Sequence, residues 1–163
     1  MKWTGLVCLG VVALSPMAGF AQPYETADDV GEIVKDPGGQ SVTLAISGRD
    51  GDKDSVSFRC SLSDQSITVV FDFGRSDSDG GSVVAPVGYL TINQNRERIT
   101  LIKGDAPNSV ILPARQSAKL FDSAKLGRPF RLERYDGAVQ EYQLDAFAPA
   151  FAELDAQCRG PAN

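Results

Sequence analysis

Hydrophobic and polar residues alternate along the middle of the chain from Ser41 onward, with the period of β-strands that have one buried face. Three runs show this pattern most clearly. Their hydrophobic positions are Val42, Leu44 and Ile46; Val56, Phe58, Cys60 and Leu62; and Ile67, Val69, Phe71 and Phe73. The connections at 48–52 and 63–65 are short and rich in turn residues. We therefore expect consecutive antiparallel strands.

Weaker alternation follows a long polar loop at 74–82 and predicts further strands at 88–93, 98–103 and 109–112. The connections between these strands are placed at 94–96 and 104–108. Near the C-terminus, 130–135 and 139–144 predict a hairpin around Asp136-Gly137, a dipeptide that favours a type I′ turn.

Helical periodicity occurs in two segments. The first has one apolar stripe at spacings of three and four, formed by Ser117, Leu120, Phe121 and Ala124, and it ends at Gly127 and Pro129. The second runs from Ala148 to Cys158, with Phe151, Leu154 and Cys158 on its buried stripe. The pattern as a whole predicts an α+β fold that is mainly antiparallel β: a sandwich or partly closed barrel with two short helices.

The first 40 residues lack this alternation. Lys2, the apolar run 6–14 and the small-x-small site 19–21 are typical of a cleavable secretory signal, so residues 1–21 are predicted to be a leader. An uncleaved anchor helix is the alternative, although the apolar run is shorter than the roughly 20 residues of a membrane span. Residues 22–40 predict an N-terminal arm or linker with at most one short helical turn at 28–34. Residues 41–163 are then predicted to form a single β-rich domain, located in the periplasm after export.

Two cysteines remain once the leader is removed, Cys60 and Cys158. An even pair in an oxidising compartment is expected to form a disulfide. Strand alternation places Cys60 on the buried face of the sheet, and helical spacing places Cys158 on the apolar stripe of the last helix. Their bond would fasten that helix to the sheet, whereas two free buried thiols are the alternative.

Composition excludes several kinds of chemistry. The chain is acidic, with a formal net charge of −5, so we do not expect it to bind nucleic acid. After the leader no apolar stretch approaches the length of a membrane span, so we expect no stable membrane insertion. It has no histidine, which removes Ser–His and Cys–His nucleophilic pairs and histidine zinc sites. Phosphate-loop and C-x-x-C motifs are also absent from the sequence. We therefore predict a protein that is not an enzyme, with no catalytic residues, metal or cofactor; a carboxylate pair assembled only by the fold is the alternative.

Two charged clusters are candidate sites. Asp50, Asp52 and Asp54 stand at alternate positions as in a calcium loop, but Ser55 and Ser61 occupy the positions of the glycine and glutamate of an EF-type loop. A solvated hairpin tip is the favoured interpretation.

The second cluster is basic and consists of Lys125, Arg128, Arg131 and Arg134. It predicts either a docking patch for an acidic partner or ordinary solvated charge. Three tyrosines are candidates for interface contacts or for core and rim packing: Tyr89, Tyr135 and Tyr142.

Two segments resemble a known family. Phe58-Arg59-Cys60 with the following SLSDQSITVVFDFG, and the ending LDAF with FAELDAQC, resemble the type VI secretion-associated VasI (TagO) family of periplasmic proteins. The stretch 109–137 is similar to that family's strand–helix–strand section. The resemblance spans roughly 55–159, although the chain has no tryptophan after Trp3. It implies an accessory envelope protein without catalytic residues, to which only Cys60 and Cys158 carry over.

Three functional hypotheses follow. The first is a non-catalytic periplasmic accessory protein that binds another envelope component, such as part of a secretion apparatus. The second is a small periplasmic ligand-binding or hydrolase-inhibitor module. The third is a carboxylate enzyme.

Overall fold

The computed structural model describes residues 24–25, 29–48, 54–74, 87–106 and 108–160; the predicted leader lies outside these ranges. Within them the chain forms two antiparallel sheets and two α-helices. The predicted α+β fold is confirmed, and its form is a sandwich, because the strands of the described ranges form no closed barrel.

The larger sheet, sheet I, has seven strands in the order β1-β2-β3-β4-β5-β9-β8. Their bounds are β1 Tyr24–Glu25, β2 Asp29–Lys35, β3 Ser41–Gly48, β4 Ser55–Ser61, β5 Ile67–Asp72, β8 Ile102–Lys103 and β9 Ser109–Ile111. Strand β4 is central. The predicted alternation holds along β3, β4 and β5, since alternate residues of each strand are buried.

The N-terminal segment corrects one prediction. Residues 29–35, expected to belong to an arm with a helical turn, form β2, which pairs antiparallel with β3 from Asp29↔Gly48 to Lys35↔Val42. The helical turn is therefore wrong. A tight turn reverses the chain after Asp36, helped by the left-handed conformation of Gly39 (φ 65°). After this turn β2 and β3 lie side by side, and Ile33 of β2 packs against the core. Sheet I therefore begins before Ser41, the predicted start of the domain.

The smaller sheet, sheet II, has four strands in the order β11-β10-β6-β7. Their bounds are β6 Val87–Ile92, β7 Asn95–Thr100, β10 Phe130–Arg134 and β11 Val139–Tyr142. Strands β6 and β7 are joined at Asn93 and Gln94, whose φ angles of 47° and 69° are those of a type I′ hairpin. The connection predicted at 94–96 therefore lies one residue earlier.

The hairpin between β10 and β11 differs from the prediction. Its loop has three residues, because the N–H of Arg134 donates to the carbonyl of Ala138 at 2.8 Å. Only Gly137 has a positive φ, of 88°, so the turn at Asp136-Gly137 is not type I′. The carboxylate of Asp136 accepts hydrogen bonds from the Arg134 side chain and from the backbone N–H of Ala138, which favours this longer loop.

Two helices cover the inner face of sheet I: α1 (Ala114–Ala124) lies against β5, and α2 (Ala148–Arg159) lies against β3. A 3₁₀ turn at Asp145–Phe147 leads into α2. Sheet II completes the cover. The buried ring of Phe58 contacts Phe121 of α1, Phe151 of α2 and Phe130 of sheet II, so one core joins all four units. Neither helix of the described ranges combines the length and apolar character that a membrane span requires.

The predicted disulfide is present. Cys60 of β4 and Cys158 of α2 are bonded, with their Cα atoms 5.9 Å apart and 98 positions between them in the sequence. Both residues are buried. The bond therefore fixes the C-terminal helix to the central strand of sheet I.

Candidate functional site

The outer face of sheet II carries a cluster of charged and aromatic side chains. Because Leu90, Ile99 and Leu132 are buried in the core, the alternate residues of the same strands point outward. We call this surface the arginine–tyrosine face. It consists of Tyr89, Thr91, Arg96, Arg98, Arg131, Glu133 and Glu141.

A tyrosine and an arginine form the centre of the arginine–tyrosine face. The guanidinium carbon of Arg96 lies 3.9 Å from the centre of the Tyr89 ring, in a cation–π contact. Arg96 also reaches Glu133, with 3.3 Å between nitrogen and oxygen. The Arg96 side chain therefore lies over the Tyr89 ring and is held there by its ion pair with Glu133.

The remaining arginines of the face differ in their partners. Arg131 lies 3.9 Å from Glu133 and 3.7 Å from Glu141. Arg98 stands opposite Tyr89 in the register of β6 and β7. It is exposed and has no ion-pair partner in the part of the chain that the structure describes. The arginine–tyrosine face thus holds more arginines than carboxylates, on an acidic chain.

The predicted basic cluster does not form one patch. Arg131 belongs to the arginine–tyrosine face, but Arg134 is on the opposite side of β10, because residues three apart on a strand face opposite ways. Arg134 is only 7% exposed, binds Asp136 through two nitrogens and lies 4.3 Å from the centre of the Phe73 ring. It is a buried structural residue.

The other two members of that cluster lie elsewhere. Lys125, at the end of α1, bonds Asp122 at 3.2 Å and Asp155 of α2 at 3.3 Å. It therefore links the two helices. Arg128 is exposed and lines a small pocket beside the turn between β6 and β7.

Arg96 and Arg98 were missed as site residues in the sequence. The signal that points to them is the Arg-Glu-Arg alternation at 96–98, which places both arginines on one side of β7 and Glu97 on the other. Glu97 bonds Lys119 and Gln116 of α1. The hydrogen bonds from these two side chains lower the pKa of the Glu97 carboxyl.

The three candidate tyrosines have different surroundings. Tyr142 is buried and stacks on Phe130, with 5.2 Å between ring centroids. Burial, with the nearby charges of Asp54 and Asp29, raises the pKa of the Tyr142 hydroxyl. Tyr135 is 63% exposed and is the first residue of the β10–β11 loop. Of the three, Tyr89 is the one that belongs to the arginine–tyrosine face.

A polar network joins the sheets where β5 ends. The side-chain amide of Gln140 donates to the carbonyl of Asp72 at 2.6 Å, and the Tyr142 hydroxyl donates to the carbonyl of Asp54 at 3.3 Å. Asp50 and Asp52, the other two aspartates of the calcium-like triplet, lie outside the described residues. Within the described ranges no group of three or more metal-ligating side chains comes together.

A groove of about 1040 Å³ lies on the outer face of sheet I. Its walls are the β2–β3 turn and the β4–β5 turn, and its floor includes outward residues of β3 and β4. Arg59 lines it from the central strand.

Fold and surfaces together define a disulfide-linked α+β sandwich with two polar outer faces, one carrying the arginine–tyrosine face and the other an arginine-lined groove. The chain matches no protein-family model, and comparison with curated proteins and with solved structures finds no match. The resemblance to the VasI (TagO) family stays a prediction.

Proposed function

We propose that this protein is a non-catalytic accessory of the periplasm that binds another envelope protein through the arginine–tyrosine face. The observation that carries the proposal is the outward-facing contact of Arg96 with the half-buried Tyr89, beside the exposed Arg98, for which the described residues provide no ion-pair partner. Tyrosine and arginine are enriched at protein interfaces and at the positions that contribute most to binding.

The side chains of the arginine–tyrosine face are also partly ordered before a partner binds. Its residues stand on paired strands rather than on loops, and contacts with Tyr89 and Glu133 restrict Arg96 before a partner arrives. Less side-chain entropy is then lost on association. Because its cations outnumber its carboxylates, the face suits a partner that presents an acidic patch.

Two further features support a role in the envelope. The predicted leader directs export, and the Cys60–Cys158 bond is of the kind that persists in oxidising compartments. The resemblance to the VasI (TagO) family favours a component of a secretion apparatus as the partner.

Crosslinking in intact cells tests this proposal. The protein, with its native leader and a C-terminal tag, is crosslinked and purified, and captured proteins are identified by mass spectrometry. The double variant Arg98→Glu, Tyr89→Ser should lose the specific partner. The control Arg128→Glu makes the same charge change at an exposed arginine outside the face and should retain it. Wild type that captures nothing above background, or a double variant that captures the partner as well as wild type, would contradict the proposal.

A second function, a small periplasmic ligand-binding or inhibitor module, is favoured by the groove on sheet I. Its volume of about 1040 Å³ is just above the usual range of ligand pockets, roughly 300–1,000 Å³. A module of this kind, purified alone, should bind its ligand or target enzyme. An accessory protein should instead be recovered from cells crosslinked to an envelope protein.

A further inference from the structure

We propose that the groove on the outer face of sheet I binds an extended acidic segment of another protein, whose carboxylate pairs with Arg59. The proposal names a ligand class for the second candidate function and is independent of the arginine–tyrosine face. It depends on the surroundings of Arg59, on the walls of the groove and on the charges that line it.

Arg59 stands on the central strand of sheet I and points away from the core, between Thr43 of β3 and Thr68 of β5 in the register. These neighbours are short, so the guanidinium is exposed. Within the described ranges it has no ion-pair or hydrogen-bond partner. An arginine side chain is always charged and offers five donors in a planar fork, which suits the two oxygens of a carboxylate.

The position of Arg59 is rigidly supported. The next residue, Cys60, points into the core and is bonded to Cys158 of α2. Strand β4 is also hydrogen-bonded to a neighbouring strand on each side. The base of the Arg59 side chain is therefore fixed before a ligand binds, which reduces the entropy lost on binding.

Two turns form one continuous wall of the groove. The backbone N–H of Leu62, after β4, donates to the carbonyl of Gln40, before β3, at 2.9 Å. The turn at Gln40 is closed by the N–H of Gly39, which donates to the carbonyl of Asp36 at 2.8 Å. The turn after Leu62 is closed by Asp64, which accepts hydrogen bonds from the N–H and hydroxyl of Ser66.

The lining of the groove is suited to an anion. Of its charged residues, Arg59, Lys35 and Asp36, only Arg59 stands on the outward face of a strand, because Lys35 is paired with the inward-facing Val42. Four hydroxyl side chains add donors, those of Ser41, Thr43, Ser61 and Ser63. On a chain with a net charge of −5, this local positive charge favours a carboxylate over a neutral group.

The apolar part of the groove points to a peptide. Val34 and Leu62 are large hydrophobic residues on the walls, 47% and 37% exposed. From β2 to β4 the groove crosses two strand spacings, about 10 Å. An extended segment of about three residues covers that distance. In an extended segment, side chains two residues apart point to the same side, so an acidic residue with its carboxylate at Arg59 would direct an aliphatic side chain two positions away toward Val34.

The probe for this site is the peptide acetyl-Val-Ser-Asp-Ser-Val-amide, titrated into the oxidised, ¹⁵N-labelled exported protein and followed by NMR. We expect chemical-shift changes in 34–43 and 59–63. Replacement of the peptide's aspartate by asparagine should weaken binding about tenfold or more, because a charge-assisted hydrogen-bonded pair is lost. Arg59→Ala and Arg59→Gln should weaken it by a similar factor.

The matched control is Arg128→Ala, which removes an exposed arginine that lies outside both the groove and the arginine–tyrosine face and should leave peptide affinity unchanged. Thermal unfolding of each variant confirms folding. Equal binding of the aspartate and asparagine peptides, or wild-type affinity in both Arg59 variants, would overturn the role of Arg59. Succinate bound as tightly as the peptide would overturn a protein segment as the occupant. Loss of the crosslinked partner in the double variant of the arginine–tyrosine face, with peptide binding intact, would separate the two sites.

Discussion

The ring of Phe58 stands edge-on to the ring of Phe151, with 4.7 Å between centroids and 90° between ring planes. Phe58 lies two residues before Cys60 on β4, and Phe151 lies on α2, the helix that carries Cys158. The aromatic contact and the disulfide therefore join the same two elements. Together they make α2 part of the core rather than a C-terminal appendage.

Removing the disulfide should lower the free energy of unfolding substantially. The bond spans 98 positions, and closing a loop of about 100 residues contributes about 4–5 kcal/mol in the chain-entropy model. The double variant Cys60→Ala, Cys158→Ala should show this loss in urea unfolding, with a larger m-value because the unfolded chain is no longer cross-linked. Wild type in reductant is the control and should match the variant. A loss below about 1 kcal/mol would argue against the stabilising role of the bond.

Two buried serines of α1 should respond in opposite ways to loss of their hydroxyl groups. The Ser117 hydroxyl accepts from the N–H of Val69 at 3.2 Å and donates to the carbonyl of Leu112 at 3.1 Å. Ser117→Ala leaves that N–H unsatisfied and should cost about 1–3 kcal/mol.

Ser123 is the matched control, because its buried hydroxyl oxygen has no hydrogen-bond partner among the residues that the structure describes. Ser123→Ala should be neutral or stabilising, since an unsatisfied polar group is removed. Urea unfolding of both variants measures the difference. Equal destabilisation would show that the hydrogen bonds of Ser117 do not set its contribution.

Asp136→Asn should destabilise the protein at neutral pH but not in acid. The hydrogen bonds from Arg134 hold the pKa of the Asp136 carboxyl below its usual range. The stability from this carboxylate is therefore present above the unfolded pKa, about 3.9, and is lost as the pH falls through the folded pKa. The Asp136 side chain is 35% exposed, so solvent screens part of the interaction, and we expect a loss of about 1–2 kcal/mol at pH 7.

The measurement is urea unfolding of wild type and Asp136→Asn between pH 7 and pH 2. The difference should disappear at the acid end. Asp122→Asn is the control, because its 65% exposed side chain pairs with Lys125 at the surface and should change stability by less than about 0.5 kcal/mol. A difference that stays constant with pH would contradict the ion pair as its cause.

Tyr142→Phe should show a crossover in alkaline solution. Burial raises the pKa of Tyr142 in the folded protein, so the unfolded chain ionises first, near pH 10. The contribution of the protonated Tyr142 hydroxyl to the free energy of unfolding is fully present below that pH. It is lost above that pH, at up to about 1.4 kcal/mol per pH unit. Tyr142→Phe should lose about 1 kcal/mol at pH 8, where it lacks the hydrogen bond to Asp54, and should fall less steeply than wild type above pH 10.

The free energy of unfolding of wild type and Tyr142→Phe, measured between pH 8 and pH 11, tests this crossover. The exposed Tyr135→Phe is the control and should follow the wild-type curve. Parallel curves for Tyr142→Phe and wild type would show that this hydroxyl does not control the alkaline transition.

The sequence predicts most of the strands and helices that have one face buried in the core. The alternation along 42–46 and 56–62 predicts strands because one-sided burial imposes a period of two, and the stripe from Ser117 to Ala124 predicts a helix for the same reason at period 3.6. Strand β2 was missed because its one large apolar side chain on the inward face, Ile33, packs at the margin of the core. The glycine and the charged residues of the strand obscure its period.

The turns and the candidate sites were less accessible. Asp136-Gly137 favours a two-residue turn locally, but the Arg134–Asp136 pair stabilises a three-residue loop. Arg131 and Arg134 are neighbours in sequence yet occupy opposite faces of β10. Arg131 instead shares a face with Arg96, which is 35 positions earlier and belongs to β7, two strands away.

The sequence by itself determined the elements with one buried face and the two cysteines that remain after the predicted leader. Hydrophobic periodicity is a local property, and an even cysteine pair has only one intramolecular partner choice. The tertiary structure decided which side chains meet: Tyr89 with Arg96, and Arg59 between Thr43 and Thr68. Those neighbours depend on strand order and register, which are set by how the whole core packs and not by any short stretch of residues.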